Sequence, residues 1–138
     1  MAGALLYRTD CLLLNQTSAV ATDVTGPAFE INRKDQSASA AELYFVVQVH
    51  LDHANAQSGD ESMVIIETSA DKVFWARVAV SGKCDSIHTS LDEILEPTHI
   101  LQFVRVRIIL EHRDGSDPKA RATVHLCSNA PVVVTPVS

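Results

Sequence analysis

The amino-acid sequence predicts an all-β domain, a jelly-roll-like β-sandwich of about eight antiparallel strands with at most one short helical turn. Residues 43–51 alternate with a period of two, which is typical of a half-buried strand. Similar short apolar segments recur at regular spacing and are separated by turn-forming residues. No segment has the length and periodicity of a long amphipathic helix. The predicted inward side chains of the clearest strand are Leu43, Phe45, Val47, Val49 and Leu51.

The N-terminal third contains three short segments of strand composition, split by turn residues. Gly26 and Pro27 separate the second segment from the third, and the polar residues 35–42 predict a loop. The three segments are CLLLN, SAVATDV and AFEINR.

Two further strands are predicted after a polar loop that contains Gly59. The first covers residues 63–68 and the second residues 72–80, and residues 69–71 are predicted as a short connection between them. In the second, alternation places Phe74, Ala76, Val78 and Val80 on the core face and Trp75, Arg77 and Ala79 on the opposite face.

The segment SLDEIL, residues 90–95, is the one place where the sequence suggests a helix. Ser90 and Glu93 have the spacing of a capping box, and Pro97 would stop the helix after barely two turns. A loop with one helical turn is the alternative prediction.

The longest predicted strand covers residues 99–110 and leads through a hairpin into a returning strand, residues 120–127. The returning strand is predicted to place Ala122, Val124 and Leu126 inward. Asp114 and Gly115 form a good hairpin signal. The tail, residues 128–138, contains two prolines, which limit it to an edge strand or an extended arm. On the longest strand the core face is Val104, Val106, Ile108 and Leu110, and the opposite face carries Phe103, Arg105, Arg107 and Ile109.

The bulk properties indicate an ordinary single domain. The 138 residues fit one sandwich, in which residues 1–10 and 128–138 could be arms that reach a neighbouring subunit. A formal net charge of −6 argues against nucleic-acid binding, and no targeting segment or membrane helix is visible. Three cysteines without CxxC spacing favour free thiols in a reducing compartment.

The candidate chemistry is limited to an H-x-x-H segment, with Asp52 between His50 and His53. Imidazole and carboxylate groups are common zinc ligands. Residues three apart on a strand face opposite sides, so both histidines could bind one ion only if the strand ended between them. We therefore interpret His50 as an outward strand residue and His53 as a loop residue, and we predict no catalytic, cofactor or metal site.

Two other kinds of site are weighed against simpler explanations. The acidic residues of the turns could in principle bind calcium, but they lack the spacing of a calcium loop and are interpreted as solvated turn residues. Trp75 and Tyr44 lie opposite the predicted core face, which favours either a binding surface or a subunit contact. The acidic turn residues are Asp52, Asp60, Glu61, Asp114 and Asp117.

The order of these strands resembles a known group. The segment LYFVVQVHLDHANAQSGDESMVIIETSADKVF, followed by LQFVRVRIIL and the hairpin into ARATVHL, resembles the jelly-roll capsid cement, or decoration, proteins of tailed bacteriophages. The opening LLLNQTSAVATDV is similar to the first two strands of that group. The resemblance covers residues 11–127 in order and depends on strand patterns, so it transfers no binding residue.

The resemblance implies a structural virion protein. Such a protein would be made in the host cytoplasm, form homotrimers, bind the major capsid protein on the exterior of the head and need no cofactor. Phe103, Arg105, Arg107 and Ile109 are then the candidate subunit interface, because interfaces are enriched in aromatic residues and arginine. The alternatives are another phage structural part, such as a tail, fibre-base or adhesion module, and a cupin-like metal-dependent enzyme. For the four residues themselves, the alternatives are packing against the second sheet or simple exposure of the arginines to solvent.

Overall fold

A computed structural model describes residues 7–16, 19, 21–32, 45–97, 99–112, 117–128 and 132–137. Within these residues the chain forms ten strands and no helix. The described residues therefore contain no helix that is long and apolar enough to cross a membrane. The strands form two antiparallel sheets that pack on each other, and the predicted β-sandwich is confirmed. The strands are β1 (Tyr7–Asn15), β2 (Val24–Thr25), β3 (Ala28–Asn32), β4 (Phe45–Ala54), β5 (Glu61–Ser69), β6 (Ala76–Val80), β7 (Ser90–Leu95), β8 (Phe103–Glu111), β9 (Lys119–Ser128) and β10 (Val133–Val137).

The strands are connected and ordered as in a jelly roll. The four-stranded sheet has the order β1-β9-β4-β7, and the six-stranded sheet has the order β10-β3-β8-β5-β6 with β2 paired to β8. Four antiparallel pairs are nested along the chain: β1 with β9, β3 with β8, β4 with β7 and β5 with β6. Nested pairs divided between two sheets are what results when one long hairpin is wrapped into a double-sheet barrel.

The core lies between the sheets and follows the predicted alternation. Phe45, Val47, Val49 and Leu51 of β4 are all buried, as expected from the period of two. The predicted inward faces of the two long C-terminal strands are also confirmed. On β8 these residues are Val104, Val106, Ile108 and Leu110, and on β9 they are Ala122, Val124 and Leu126.

The segment SLDEIL is a strand, so both predictions for it, a helix or a loop with one helical turn, are wrong. It pairs with β4 over six residues, from Leu95 opposite Val47 to Ser90 opposite Asp52. Leu95 is buried whereas the neighbouring Ile94 is largely exposed. Cross-strand pairing and burial of one face therefore override a weak local capping signal.

The predicted strand over residues 72–80 begins only at Ala76, and its predicted faces are partly wrong. Phe74 is exposed and not in the core, because residues 70–75 form a turn. A β-bulge then shifts the register between β5 and β6, so that Val78 and Ala79 both pack against the core while Val80 faces outward. One extra residue in a strand reverses the facing of everything beyond it.

The two ends of the described chain are paired within its own sheets. β1 is the edge of the four-stranded sheet, and β10 pairs with β3 as an edge strand, one of the two forms predicted for the tail. The remaining residues of the two predicted arms lie outside the described part of the chain. Gly26 precedes β3 at a close approach, where a Cβ would lie 3.2 Å from the carbonyl oxygen of Val106.

Candidate functional site

The four residues predicted as a subunit interface share the outer face of the six-stranded sheet. Their neighbours on β8 point into the core, so this face does not pack against the second sheet. Arg105, Arg107 and Ile109 are partly buried, and Phe103 is buried. Strand β5 pairs with β8 along its length, and two side chains of the connection between β5 and β6, Lys72 and Trp75, contact Phe103 and Arg105.

Glu67 of β5 is the electrostatic centre of this outer face. Its side chain is only 9% exposed, and it accepts a hydrogen bond from Nε of Arg105 at 2.8 Å and one from Nη1 of Arg107 at 3.4 Å. A nearly buried carboxylate needs such partners, because an unpaired buried charge is strongly unfavourable. The two arginines are therefore held in place and do not simply extend into solvent.

Two cation–aromatic contacts cover the same face. The guanidinium of Arg105 lies 4.1 Å from the ring centre of Trp75, and the ammonium of Lys72 lies 5.3 Å from the ring centre of Phe103. A cation over an aromatic face is attracted by the ring quadrupole. Trp75 thus takes the outward side predicted for it, whereas Tyr44 lies outside the described residues.

Residues 69–75, which we name the anchor turn, are ordered by a dense set of hydrogen bonds. Oδ1 of Asp71 accepts from the N–H groups of Val73 at 2.8 Å and Phe74 at 3.0 Å and from the hydroxyl of Ser69 at 3.0 Å. The Ser69 hydroxyl oxygen also accepts from the N–H of Lys72 at 2.8 Å, and the indole N–H of Trp75 donates to the Lys72 carbonyl at 3.2 Å. The N–H of Phe74, followed by that of Val73, lowers the pKa of Asp71 below its ordinary value.

The anchor turn presents two large apolar side chains to solvent. Val73 is 70% exposed and Phe74 is 80% exposed. Beside the turn, an open cleft of about 610 Å³ is lined in part by Ala70 and by Leu101, which is also exposed. Residues 69–71 were predicted as a short connection, but the strand predicted from residue 72 concealed the rest of this turn. Ser69 and Asp71 could have indicated it, since both residue types bond to nearby backbone N–H groups.

The anchor turn and the part of the sheet face around Glu67 carry an excess of positive charge, although the chain as a whole has a formal charge of −6. Around Glu67 and Asp71 lie four cationic side chains, which leaves an excess of two positive charges in this part of the face. Farther along β8, Glu111 lies opposite Glu61, and Lys83 pairs with Glu61. Arg77 is exposed and makes no ion pair with any described residue. We name this area the basic surround; its cations are Lys72, Arg77, Arg105 and Arg107.

The outer face of the four-stranded sheet carries a row of charges across β7, β4 and β9. Nδ1 of His50 lies 2.6 Å from Oδ1 of Asp92, Nε2 of His50 lies 3.1 Å from Oδ2 of Asp52, and Nη2 of Arg121 donates to the same Asp52 oxygen at 2.9 Å. Only a doubly protonated ring satisfies both carboxylates. The hydrogen bond to Asp92, followed by that to Asp52, raises the pKa of His50, and the Arg121 hydrogen bond lowers the pKa of Asp52.

The two histidines of the H-x-x-H segment lie on opposite sides of β4. His50 is the predicted outward strand residue. His53 was predicted in a loop, but it is a buried residue of β4, paired with Ala120. Its Nδ1 lies 3.2 Å from both the Cys84 carbonyl oxygen and the Ser62 hydroxyl, and its Nε2 is buried with no hydrogen-bond partner. The strand continues past His50 to Ala54, so the condition for a shared metal ion is not met.

The part of the chain that the structure describes has no other grouping with the donors for a metal. Across the described ranges, no three histidine, cysteine, aspartate or glutamate side chains come together as a possible metal site. In the outer charge row both nitrogens of His50 already face carboxylates, so neither has a free lone pair when the ring is charged. Asp60, predicted as a solvated turn residue, is fully buried.

Cys84 is a buried structural thiol. Burial raises its pKa to about 11, so at neutral pH it stays protonated and is a poor nucleophile. Cys84 and Cys127 are not joined to each other by a disulfide, as the cysteine spacing predicts for these two residues.

Comparisons with known proteins add no relative. No protein-family model matches the chain, and no curated protein or solved structure matches it.

Proposed function

We propose that this chain is a structural virion protein, a capsid cement protein that binds the outer surface of a tailed-phage head and stabilises it across subunit boundaries. In this role it would act as a homotrimer on the major capsid protein, after synthesis in the host cytoplasm. The chemistry required is burial of surface and not catalysis.

The anchor turn is the observation that carries the proposal. A phenylalanine that is 80% exposed on a turn held by six hydrogen bonds is unfavourable for an isolated protein and favourable for one that buries it against a partner. Aromatic side chains that enter a partner's pocket commonly dominate the binding energy of an interface.

Two features support the choice of a capsid as the partner. The strand patterns over residues 11–127 resemble those of phage cement proteins. The nested strand pairs also agree with the jelly-roll fold that this resemblance implies. The strand pairing does not depend on the exposure of Phe74, whereas the segment that carries the resemblance includes residues 69–74 of the anchor turn.

The test compares phage heads assembled with and without this chain. We expect purified protein to bind the undecorated heads in a saturable way and to raise the temperature at which they rupture and release DNA. Electron microscopy of gold-labelled particles separates a head protein from a tail or fibre-base component. Absence of binding, or equal rupture temperatures for the two kinds of head, contradicts the proposal.

A further inference from the structure

We infer that the anchor turn and its basic surround form the docking surface, and that they bind a protein surface with an apolar pocket bordered by carboxylates. This inference rests on the proposed function, in which that protein surface belongs to the capsid exterior. The inference states which kind of partner surface this area binds, and the strand resemblance gives no information on that point.

The shape of the surface fits insertion into a pocket. Val73 and Phe74 are adjacent and both highly exposed, so they can enter a partner together. Behind them, Trp75 is stacked on Arg105 and cannot swing out without losing that contact. Leu101 in the neighbouring cleft extends the apolar area that a partner would cover.

The positive charge of the basic surround indicates that the partner surface is acidic. The basic surround has an excess of two positive charges on a molecule whose formal charge is −6. Such a molecule repels another acidic surface in most orientations and is attracted to it in one, with the basic surround facing it. Acidic residues border this area on two sides: Glu30 lies opposite Phe103 on the next strand, and Glu61 lies opposite Glu111 farther along β8. The positive area is therefore confined to the part of the face around Glu67.

Pre-organisation is what distinguishes the anchor turn from an exposed loop. The hydrogen bonds of Ser69 and Asp71 fix the backbone that carries Phe74 before any partner arrives. Binding then loses less conformational entropy than it would from a disordered segment.

A second turn of the same construction supplies a matched control. In residues 85–88, Oδ1 of Asp85 accepts from the N–H groups of Ile87 and His88, and Ile87 is 80% exposed. That turn presents one apolar side chain in place of two. Its ion pair joins Asp85 to His88, with no arginine in the turn.

The first experiment measures binding of the full chain to undecorated heads by co-sedimentation. We expect Phe74→Ala to weaken binding by about ten- to thirtyfold, the loss typical of a central interface residue. The variant should fold as the unaltered chain does, because Phe74 lies outside the core. Ile87→Ala should leave binding unchanged. The inference is overturned if the two substitutions weaken binding equally, or if Phe74→Ala does not weaken it. The proposed function still stands in either case, provided that the unaltered chain binds the heads.

The second experiment tests the charge. Arg77→Glu should weaken binding to heads at low salt, and the difference from the unaltered chain should shrink as salt screens it. Lys119→Glu, at the start of β9 in the other sheet, is the control and should have little effect. If both substitutions weaken binding equally, binding depends only on the net charge of the chain, and the assignment of the basic surround to the docking surface is overturned.

Two other occupants of the docking surface, a lipid surface and a second copy of this chain, can be distinguished from a pocket on the capsid. Binding of the unaltered chain to vesicles of phosphatidylglycerol and phosphatidylcholine, lost in Phe74→Ala, would make the occupant an anionic lipid surface and overturn the inference. A self-associated species in analytical ultracentrifugation that dissociates in Phe74→Ala would make the occupant a second copy, with the same consequence. Failure of the unaltered chain to bind heads overturns the proposed function first and the inference with it.

Discussion

At the scale of single residues, the charge row on the four-stranded sheet should make stability depend on pH. The pKa of His50 in the folded protein is raised above its ordinary value of 6.5, chiefly by Asp92. Its stabilising contribution is therefore complete below pH 6.5 and is lost as pH rises through the folded pKa. The ring is partly exposed, so the contribution is at most about 1 kcal/mol.

Substitution of His50 measures this contribution. We expect the unaltered chain to exceed His50→Gln in unfolding free energy at about pH 5.5, and the difference to shrink by about pH 8.5. Urea unfolding at several pH values measures it, and the other histidines cancel in the comparison. A difference that is constant or grows with pH would show that Asp92 and Asp52 do not hold a charged ring.

Glu67 should be the most sensitive charged residue on the opposite sheet. Replacement by Gln keeps its size but removes the charge that pairs with Arg105 and Arg107, and we expect a loss of about 2 kcal/mol in unfolding free energy. Glu30→Gln is the control, since Glu30 accepts one exposed hydrogen bond from the Gln102 amide. Equal stabilities of the Glu67→Gln variant and the unaltered chain would refute the role of this carboxylate.

At the scale of elements, the anchor turn should depend on one carboxylate. Asp71→Ala removes the acceptor for the N–H groups of Val73 and Phe74, so we expect their hydrogen exchange to accelerate by roughly tenfold, the ratio that corresponds to one net hydrogen bond. Asp85→Ala should accelerate exchange at Ile87 and His88 instead. Nuclear magnetic resonance resolves the four amides. Unchanged exchange at residues 73 and 74 would contradict the rigid turn.

The second prediction at this scale concerns the two faces of β7, one buried and one exposed. Leu95→Ala should lower the unfolding free energy by about 2–4 kcal/mol, because Leu95 belongs to the core. Ile94→Ala should change it by less than about 0.5 kcal/mol, because Ile94 faces solvent. Denaturant unfolding of both variants gives the contrast, and similar losses would be inconsistent with a strand that has one buried face.

The elements also show which structure the sequence predicts and which it does not. β4, β8 and β9 were predicted with their core faces, because long alternation has one physical solution, with one face buried. β7 was missed because its six residues mimic a helix start and only pairing with β4 makes them a strand. A connection was predicted at residues 69–71, but residues 72–75 of the anchor turn and the bulge beyond them were assigned to a regular strand. A turn and an extra residue leave the apolar composition of a strand intact while changing which side each residue faces.

The candidate site was predicted only in part. Phe103, Arg105, Arg107 and Ile109 were placed on the face that now carries the basic surround. Their partners come from distant parts of the chain, as Glu67 does for Arg105, and alternation within one strand cannot predict them. The exposure of Phe74 was predicted wrongly, because an apolar side chain in an apolar segment is ordinarily assigned to the core.

At the scale of the whole molecule, two sheets enclose the core and leave their outer faces different in character. The outer face of the four-stranded sheet carries the His50 charge row, and that of the six-stranded sheet carries the basic surround and the anchor turn. A β-sandwich with one such face is suited to bind in one orientation. In the proposed role, the anchor turn faces the capsid.

An electron cryomicroscopy map of heads decorated with the full chain tests the proposal most directly. We predict jelly-roll density in groups of three on the exterior of the head, with the anchor turn in contact with the capsid surface and Phe74 within an apolar pocket bordered by carboxylates. Density with the anchor turn facing solvent would contradict the assigned docking surface. Heads without added density at saturating protein would contradict the cement function itself.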